Sequence, residues 1–452
     1  MKNRFSLSIL RYILASAVGF CASAGMAQQE LMLYQSAELW QANAVNPAVF
    51  SQDKVLFVGS PSWGLDAAHS GDIAYNDLLR RQEGRTVLNL GGAINRLSPE
   101  NRLRLDQRNE RVSAGLRLGK WYLSAGWSQR TAATAVYPRA LAELLWYGNG
   151  PYVGQTLDIG PAIDVVRWNE LSAGLARHFG KNLCLGLRLK YLSGDAMLAS
   201  DQERRRISIY TAPDIYQLSL QTDYGFYASS FISAVDTSGF GYDIAFNTLR
   251  NRFAQNAGAA LDAGITVRIS ERFTLSASAL DLGSRIRWKS NTNYFHSQGQ
   301  FQHDGVFIPG TDILNGTVDS LDFGAALDSL NEVLNFQKTA AELTTPLPAR
   351  YYAAAQWQLF DRLRLGVVLH HQREERRQTT AVGFSGHWAV LPWLTAGAMY
   401  SINDRSASNI GLSAIVRLGP LQAFALSDNA LNALTPYRSA AVNFRLGAAL
   451  VF

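Results

Sequence analysis

Cysteine, charge and long apolar runs are all scarce in this chain of 452 residues. Only two cysteines are present, Cys21 and Cys184, and charged residues make up 17% of the sequence. After the first 27 residues, no apolar stretch approaches the roughly 18 residues that a membrane-spanning helix needs. The sequence therefore excludes a helical membrane protein. It also excludes an intrachain disulfide framework, because a single cysteine follows residue 27.

The first 27 residues have the three parts of a secretory signal. The segment begins with three basic residues: Lys2, Arg4 and Arg11. A short apolar run, "YILASAVGF", is followed by small residues, and we expect cleavage after Ala27. We predict a signal peptide over 1–27 and one mature domain over 28–452. Removal of the signal lowers the net charge from +6 to +3, and no basic run with interleaved aromatics remains, so we expect no nucleic-acid partner.

Alternation of apolar and polar residues recurs along the chain and predicts strands with two different faces. In "NLCLGLRLKY" the apolar set alternates with Cys184, Gly186, Arg188 and Lys190. Such segments run for about ten residues, the length that a tilted strand needs to cross a bilayer. We count about 14 of them, within a range of 12 to 16.

Tight turns and two helices interrupt this pattern. Leu118-Gly119-Lys120 and Phe360-Asp361-Arg362 fit short turns between strands. "PRALAELLWYGNG" predicts a helix that ends near Gly148, and "DSLDFGAALDSLNEVLNF" predicts a second helix in a loop or plug.

A secreted β-sandwich would also alternate, but three features favour a transmembrane barrel. The strands are long and joined by tight turns, and the chain finishes on an alternating strand, "AAVNFRLGAALVF". Tryptophans stand at strand ends, where membrane interfaces favour them: Trp121, Trp168, Trp288, Trp388 and Trp393. We predict an all-β fold, a single antiparallel barrel in the cell outer membrane in contact with its lipid. In the last strand we expect Phe444 and Phe452 to face lipid, Asn443 and Arg445 to face the lumen, and Phe452 to be read by the barrel-assembly machinery.

The tripeptide Asn46-Pro47-Ala48, just before the first strand, resembles the start of FadL-like outer-membrane barrels. An ordered set of stretches, "LAELLWYGNG", "GLRLKYLSGDA", "NAGAALDAGITVRI", "LSASALDLGSRIRW" and "NFRLGAALVF", is similar to an uncharacterised Bacteroidota barrel family in the class of PorV and PorP/SprF. The resemblance implies an outer-membrane barrel whose N-terminal segment lies in or against the periplasmic mouth.

Side chains with catalytic or metal-binding chemistry form no persuasive set. His370 and His371 are adjacent and would point to opposite faces of one strand, which makes a poor metal clamp. Ser385 and His387 share a strand face but lack the turn that a hydrolase nucleophile needs. We predict no enzyme, no cofactor and no metal site.

Basic residues recur on the polar faces of the strands, and we expect them to face the lumen: Arg117, Arg188, Lys190, Arg268, Arg364, Arg417 and Arg445. Charge on the lipid face is costly, which is the reason for this assignment. Two interpretations stay open. The lumen attracts an anionic solute or headgroup, or the basic residues form structural ladders to Asp262 or to loop carboxylates: Glu143, Asp328 and Glu332.

Two functions follow from this reading. The first is FadL-like transport or binding of a hydrophobic or amphipathic molecule, without catalysis. The second is an accessory barrel in an outer-membrane secretion complex, similar to the type IX system, or in an assembly complex, where it would hold a partner protein.

Overall fold

The computed structural model describes residues 30–50, 53–70, 79–82, 85–214, 217–229, 234–236, 239–241, 253, 255–303, 334–373, 378–403, 406–430 and 441–452. The predicted signal peptide and nearly all of the second predicted helix, with Asp328 and Glu332, lie outside these residues.

The described residues are mainly β-strand. The strands are β1 (Leu56–His69), β2 (Leu79–Gln82), β3 (Arg85–Leu88), β4 (Glu100–Leu118), β5 (Trp121–Pro138), β6 (Thr156–Asp158), β7 (Ala162–Phe179), β8 (Leu183–Thr211), β9 (Leu218–Ser229), β10 (Ala234–Asp236), β11 (Gly239–Gly241), β12 (Ala257–Arg268), β13 (Phe273–Trp288), β14 (Thr292–His303), β15 (Gln337–Ala340), β16 (Leu343–Pro346), β17 (Ala349–Phe360), β18 (Leu363–Arg373), β19 (Gln378–Leu391), β20 (Leu394–Asn403), β21 (Ser406–Leu418), β22 (Leu421–Ser427) and β23 (Ala441–Val451).

Helices are short by comparison. They are α1 (Leu31–Gln35), α2 (Leu90–Ile94), α3 (Arg139–Tyr147) and two 3-10 turns, Trp40–Ala44 and Gly150–Tyr152. The helix predicted from "PRALAELLWYGNG" is confirmed as α3, and its C-cap is Gly148. No helix among the described residues is long and apolar enough to cross a membrane.

Fourteen strands close into one antiparallel ring, as the sequence predicts. In order they are β1, β4, β5, β7, β8, β12, β13 and then β17 to β23. The ring is closed by β1, which pairs with β4 on one side and with β23 on the other. Closure matters because an open sheet would leave unpaired backbone groups in lipid.

The two ends of the barrel differ. Six connections are tight turns, such as 119–120 between β4 and β5 and 361–362 between β17 and β18. They lie at the end where Leu56 pairs with Phe452, and we call this the turn end. The opposite end is called the loop end: five of its connections in the ring are longer than ten residues, whereas β18–β19 and β20–β21 are separated by only four and two residues. There β8, which is 29 residues long, extends beyond the ring, and its C-terminal part pairs with β9. Short turns at one end and long loops at the other are typical of outer-membrane barrels.

The outer face of the ring is apolar. Along β8, Leu185, Leu187 and Leu189 are exposed, whereas the residues between them are buried. The same alternation continues around the ring, and exposed aromatics cluster near the turn end: Trp121, Phe179, Trp357, Phe360, Trp388, Trp393 and Phe452. An exposed apolar band with an aromatic girdle is what a lipid-facing surface requires.

Two of the tryptophans predicted at the membrane interface are instead buried. Trp168 lies beneath the Arg130 guanidinium, and Trp288 donates from its Nε1 to Thr345 Oγ1 at 3.0 Å. Both belong to strands that continue toward the loop end, so they fill the interior there. Position near a predicted strand end was therefore an insufficient guide to membrane contact.

The last strand is confirmed as β23. Arg445 is buried on the inner side, and Asn443 donates to Asp66 at 3.3 Å. On the outer side, Phe444 packs edge-on against the exposed Trp63 with ring centroids 5.1 Å apart.

Candidate functional site

The lumen is filled by the N-terminal segment, residues 30–50, which we call the plug. All but a few of its residues are buried, and α1 together with the 3-10 turn Trp40–Ala44 lies inside the ring. The plug, the inner wall and the spaces between them form the candidate site.

Near the turn end, the plug packs against glycines of the wall. A Cβ at Gly186 would overlap the carbonyl group of Pro47, and a Cβ at Gly264 would lie 2.9 Å from Pro47 Cδ. Likewise, a Cβ at Gly115 would overlap the Trp40 ring. Glycine at these positions lets the plug backbone approach the wall more closely than any other residue would.

Aromatic rings complete this end of the site. Trp40 stacks on Phe57 at 5.0 Å between ring centroids, and Phe50 stacks on Tyr122 at 4.2 Å. The Trp40 Nε1 donates to Ser113 Oγ at 2.8 Å, so the buried indole is satisfied.

The Asn46-Pro47-Ala48 motif lies inside the barrel near the turn end. The Asn46 carboxamide accepts a hydrogen bond from the Ala48 amide at 2.9 Å and donates one to Tyr34 Oη at 3.2 Å. Asn46 and Ala48 are buried, and the motif therefore fixes the bend that leads the plug out toward β1.

At its other end, the plug is held by charge. The Glu30 carboxylate contacts the guanidinium groups of Arg445, Arg350 at 3.2 Å and Arg108 at 3.8 Å. Burial alone would raise the pKa of Glu30, but the arginines, with Arg445 foremost, lower it to about 2. Glu30 is thus ionised at neutral pH.

A carboxylate in the connection after β22 caps the start of α1. Asp428 accepts hydrogen bonds from the backbone amides of Met32 at 2.7 Å and Leu31 at 3.2 Å. Two amide groups that the short helix leaves unpaired are satisfied in this way.

Below Glu30, buried charges of the wall form an ion-pair network. Lys190 Nζ lies 2.7 Å from Asp281, 2.9 Å from Asp262 and 3.5 Å from Glu170. Arg350 also reaches Asp281, at 2.7 Å. These contacts compensate for the cost of burying each charge.

The seven basic residues predicted to face the lumen separate by depth. Arg188, Lys190 and Arg445 are buried deep in the lumen. Arg188 donates to the carbonyl of Asn43 at 2.5 Å and pairs with Asp262 at 3.4 Å, so it joins the plug to the wall.

The other four predicted residues lie nearer the turn end. Arg364 pairs with Glu38 of the plug, and Arg417 donates to the Glu38 carbonyl at 3.2 Å. Arg117 donates to the carbonyl of Lys54 at 3.0 Å. Arg268 is exposed where β12 ends.

Of the expected ladder partners, Asp262 does pair with predicted basic residues. Glu143 does not: it pairs with Arg139 one turn away in α3 at 2.6 Å, because the helix places i and i+4 side by side.

Several central residues escaped the sequence analysis: Glu30, Arg108, Glu110, Arg130, Glu170, Asp281 and Arg350. For Arg108 and Glu110 the cause is a β-bulge in β4. The register with β5 shifts between Glu110 and Val112. Even-numbered residues such as Arg108 and Glu110 therefore face inward before the shift, and odd-numbered residues face inward after it. A bulge of this kind reverses an alternation pattern without any clear sequence signal.

The histidines and Ser385 show no catalytic arrangement. His370 is buried beside the Tyr352 ring, whereas His371 meets Thr380 Oγ1 at 3.0 Å on the other face. Ser385 and His387 share the inner face of β19, as expected from their spacing.

Two cavities flank the plug. The loop-end cavity, of about 60 Å³, has Glu30 and Leu33 at its floor. Its walls are lined by four arginines, three aspartates and two apolar residues on the inner side: Arg108, Arg130, Arg350, Arg445, Asp66, Asp106, Asp428, Pro348 and Leu426. The side cavity, of about 40 Å³, runs between the plug and strands β4, β5 and β7 and is rich in serine.

A closed ring with an apolar outer face and a plugged, charged lumen defines a transmembrane β-barrel. The chain matches "Family of unknown function (DUF5723)" over residues 47–428 and belongs to that family. The prediction of an uncharacterised family is thus confirmed, while a Bacteroidota origin and likeness to PorV and PorP/SprF stay predictions.

Solved structures with related architecture are distant in sequence. The Pseudomonas putida toluene transporter TodX is 11% identical, with 95% of each chain covered and a TM-score of 0.45. A Pseudomonas aeruginosa FadL homologue is 12% identical, with 95% of this chain and 98% of that chain covered and a TM-score of 0.44. No curated protein matches the chain.

Proposed function

We propose that the protein is an outer-membrane barrel that binds and passes a hydrophobic or amphipathic molecule without covalent chemistry. The loop-end cavity carries this proposal. In this position of the plug the cavity holds only about 60 Å³, so a drug-sized molecule enters it only as the plug shifts. Apolar side chains form one part of its lining and charged groups another, which suits a molecule with an apolar body.

The apolar belt and the end asymmetry support an outer-membrane location. Export through the predicted signal peptide and recognition of Phe452 by the assembly machinery belong to the same proposal. The plug divides the lumen, so passage requires that the plug shift.

Binding of radiolabelled 1-dodecanol to the purified protein in amphipol tests the proposal. Leu426→Trp fills the cavity from a buried position and should reduce binding at least tenfold. Leu412→Trp is the matched control, because Leu412 is exposed on the outer face and should leave binding unchanged. Equal binding by all three proteins would contradict the proposal.

The alternative role, an accessory barrel of a secretion or assembly complex, has no particular support from the described residues. It would replace the transport proposal if a partner were recovered stoichiometrically from native outer membranes by a protein that binds no dodecanol.

A further inference from the structure

The turn end of the barrel concentrates its positive charge on one side. From the β4–β5 turn to the β12–β13 turn, the rim carries five exposed basic residues and one exposed acid: Lys120, Arg177, Lys181, Arg268 and Arg272, with Glu271. We call this side the basic arc. On the opposite side, the turns between β17 and β22 carry one acid and one base, Asp361 and Arg362. Arg364 and Arg417 lie near the same level there, but both are engaged by Glu38 of the plug.

Within the basic arc, Arg177 lies on the outer, lipid-facing side. It pairs across the sheet with Trp121 and Leu185, which are both exposed. Its guanidinium lies over the Trp121 ring at 4.6 Å and near the Phe179 ring at 4.9 Å, both measured to the ring centroid. Two aromatic rings therefore hold a cation in a defined position among apolar neighbours.

Two lysines flank Arg177 in the neighbouring turns. The Lys120 carbonyl accepts a hydrogen bond at 2.9 Å from the amide of His178, the residue after Arg177. Lys181 follows Phe179 by two residues, in the turn between β7 and β8. Within the part of the chain that the structure describes, neither lysine nor Arg177 forms an ion pair. Three cations thus meet the edge of the apolar band without a carboxylate from the wall.

The depth of Arg177 suits a lipid headgroup. It stands two residues before the end of β7, so its Cα lies roughly 7 Å from the strand end. A side chain as long as arginine can carry its charge back from that depth to the membrane surface. Trp121 and Phe179 mark the same level, because the aromatic girdles of barrels lie at the two interfaces of the bilayer.

We propose that Lys120, Arg177 and Lys181 form a binding site for an anionic phospholipid in the leaflet that meets the turn end. The Arg177 guanidinium donates to the phosphodiester oxygens, and the lysines surround the headgroup with positive charge. Trp121, Phe179 and Leu185 contact the acyl chains. Three unpaired cations favour a headgroup with net negative charge, such as phosphatidylglycerol, over a zwitterionic one.

A lipid is favoured over an acidic soluble protein, because Arg177 lies on the surface that the bilayer covers. The inference depends on the membrane-spanning barrel and is independent of the molecule proposed to bind in the lumen.

Native mass spectrometry of the purified mature protein in detergent, titrated with phosphatidylglycerol or phosphatidylcholine of the same acyl chains, tests the site. Wild type should bind its first phosphatidylglycerol at least tenfold more tightly than phosphatidylcholine. Arg177→Gln should weaken phosphatidylglycerol binding about fivefold, the factor expected for one basic side chain near a membrane surface. Adding Lys120→Gln and Lys181→Gln should reduce the preference to less than about twofold.

Arg362→Gln is the matched control. Arg362 is exposed in a turn at the same end, next to the exposed Phe360 by two residues, but it lies outside the basic arc. This variant should leave both lipid affinities unchanged, and Arg177→Lys should retain most of the preference because it keeps the charge. All variants should show wild-type heat-modifiable migration and wild-type dodecanol binding, which separates a lost lipid site from a misfolded barrel.

Each contrary result has a definite meaning. Equal affinity of wild type for the two lipids would overturn the inference, as would a preference that persists in the triple variant. Equal losses in Arg362→Gln and Arg177→Gln would assign the effect to the overall charge of the rim and overturn a localised site. Displacement of phosphatidylglycerol by hexaglutamate would identify an acidic protein as the partner, and displacement by glycerol 3-phosphate would identify a soluble phosphate; either would overturn the lipid. Because dodecanol binding is measured separately, failure of this inference leaves the proposed function standing, and the reverse also holds.

Discussion

The two ends of the plug are held by different physics. Near the turn end, Trp40 and Pro47 fit against glycines and aromatic rings of the wall, so shape decides the position. At the loop end, Glu30 is held by three arginines beside an open cavity, so charge decides it. The difference indicates that the two ends of the plug respond to different changes: the turn end to the volume of the wall side chains, and the loop end to the charge of Glu30 and its arginines.

The largest effect is expected from a change that prevents the wall from assembling, because both ends of the plug are held by the wall. Leu187→Arg places a charge on the lipid face, at a cost of about 2–4 kcal/mol near the bilayer centre, and should prevent assembly. Arg188→Leu, one residue away, should allow assembly but loosen the plug, because Arg188 donates to Asn43. Heat-modifiable migration of the barrel on gels measures assembly. Equal assembly of the two variants would mean that the faces of β8 are wrongly assigned.

The packing at the turn end of the plug can be tested by substituting a glycine of the wall. Gly186→Val would drive a side chain into the carbonyl group of Pro47, and overpacking of this kind costs about 1–3 kcal/mol. We expect the buried Cys184 to be labelled by maleimide roughly ten to a hundred times faster, since about 1.4 kcal/mol corresponds to a factor of ten. Gly386→Ala is the control, because its new Cβ would meet only Leu365, at 3.6 Å. Unchanged labelling in Gly186→Val would show that close packing against Gly186 does not hold this end of the plug in place.

The smallest effect, at most about tenfold for a change of one pH unit, is expected from acid at the loop end of the plug. The folded-state pKa of Glu30, about 2, lies below its ordinary value, so its contribution to plug stability is present above about pH 4.5. That contribution is lost as the pH falls toward 2, by at most about tenfold in the bound-to-released ratio per pH unit. A fluorine label on Leu33→Cys, read by NMR in the Cys184→Ser background, would report the released fraction. Glu30→Gln should abolish the pH dependence that Glu30 contributes, and a pH response unaltered by this change would assign it to other groups.

The barrel could be predicted from the sequence, because lipid outside and a polar lumen inside require apolar and polar residues to alternate along every strand. The strand count, the tight turns and the inward position of Arg188 all derive from that rule. It fails at Arg108, where the bulge in β4 reverses the pattern, and at Trp168, which lies in a strand interior. The bulge is a shift in the register of β4 against β5, and the burial of Trp168 depends on packing inside the closed ring; the alternation pattern records neither.

Only part of the plug could be predicted from the sequence. Asn46-Pro47-Ala48 indicated an N-terminal segment at the barrel mouth, but residues 30–45 have no periodicity that predicts burial in a lumen. Glu30 in particular is an isolated acid near the predicted cleavage point. Its partners come from β4, β17 and β23, and only the closed ring brings them together.

The pairing of Leu56 with Phe452 has a kinetic consequence. These hydrogen bonds join the first strand to the end of the last, so the chain must order almost all its other strands before the ring can close. Until then β1 presents an unpaired edge, the kind of surface on which chains aggregate. The segment that later fills the lumen lies directly before this edge, and its seating against β8 and β12 would hold the waiting strand near its partner. Closure and filling of the barrel would then be a single late event in folding.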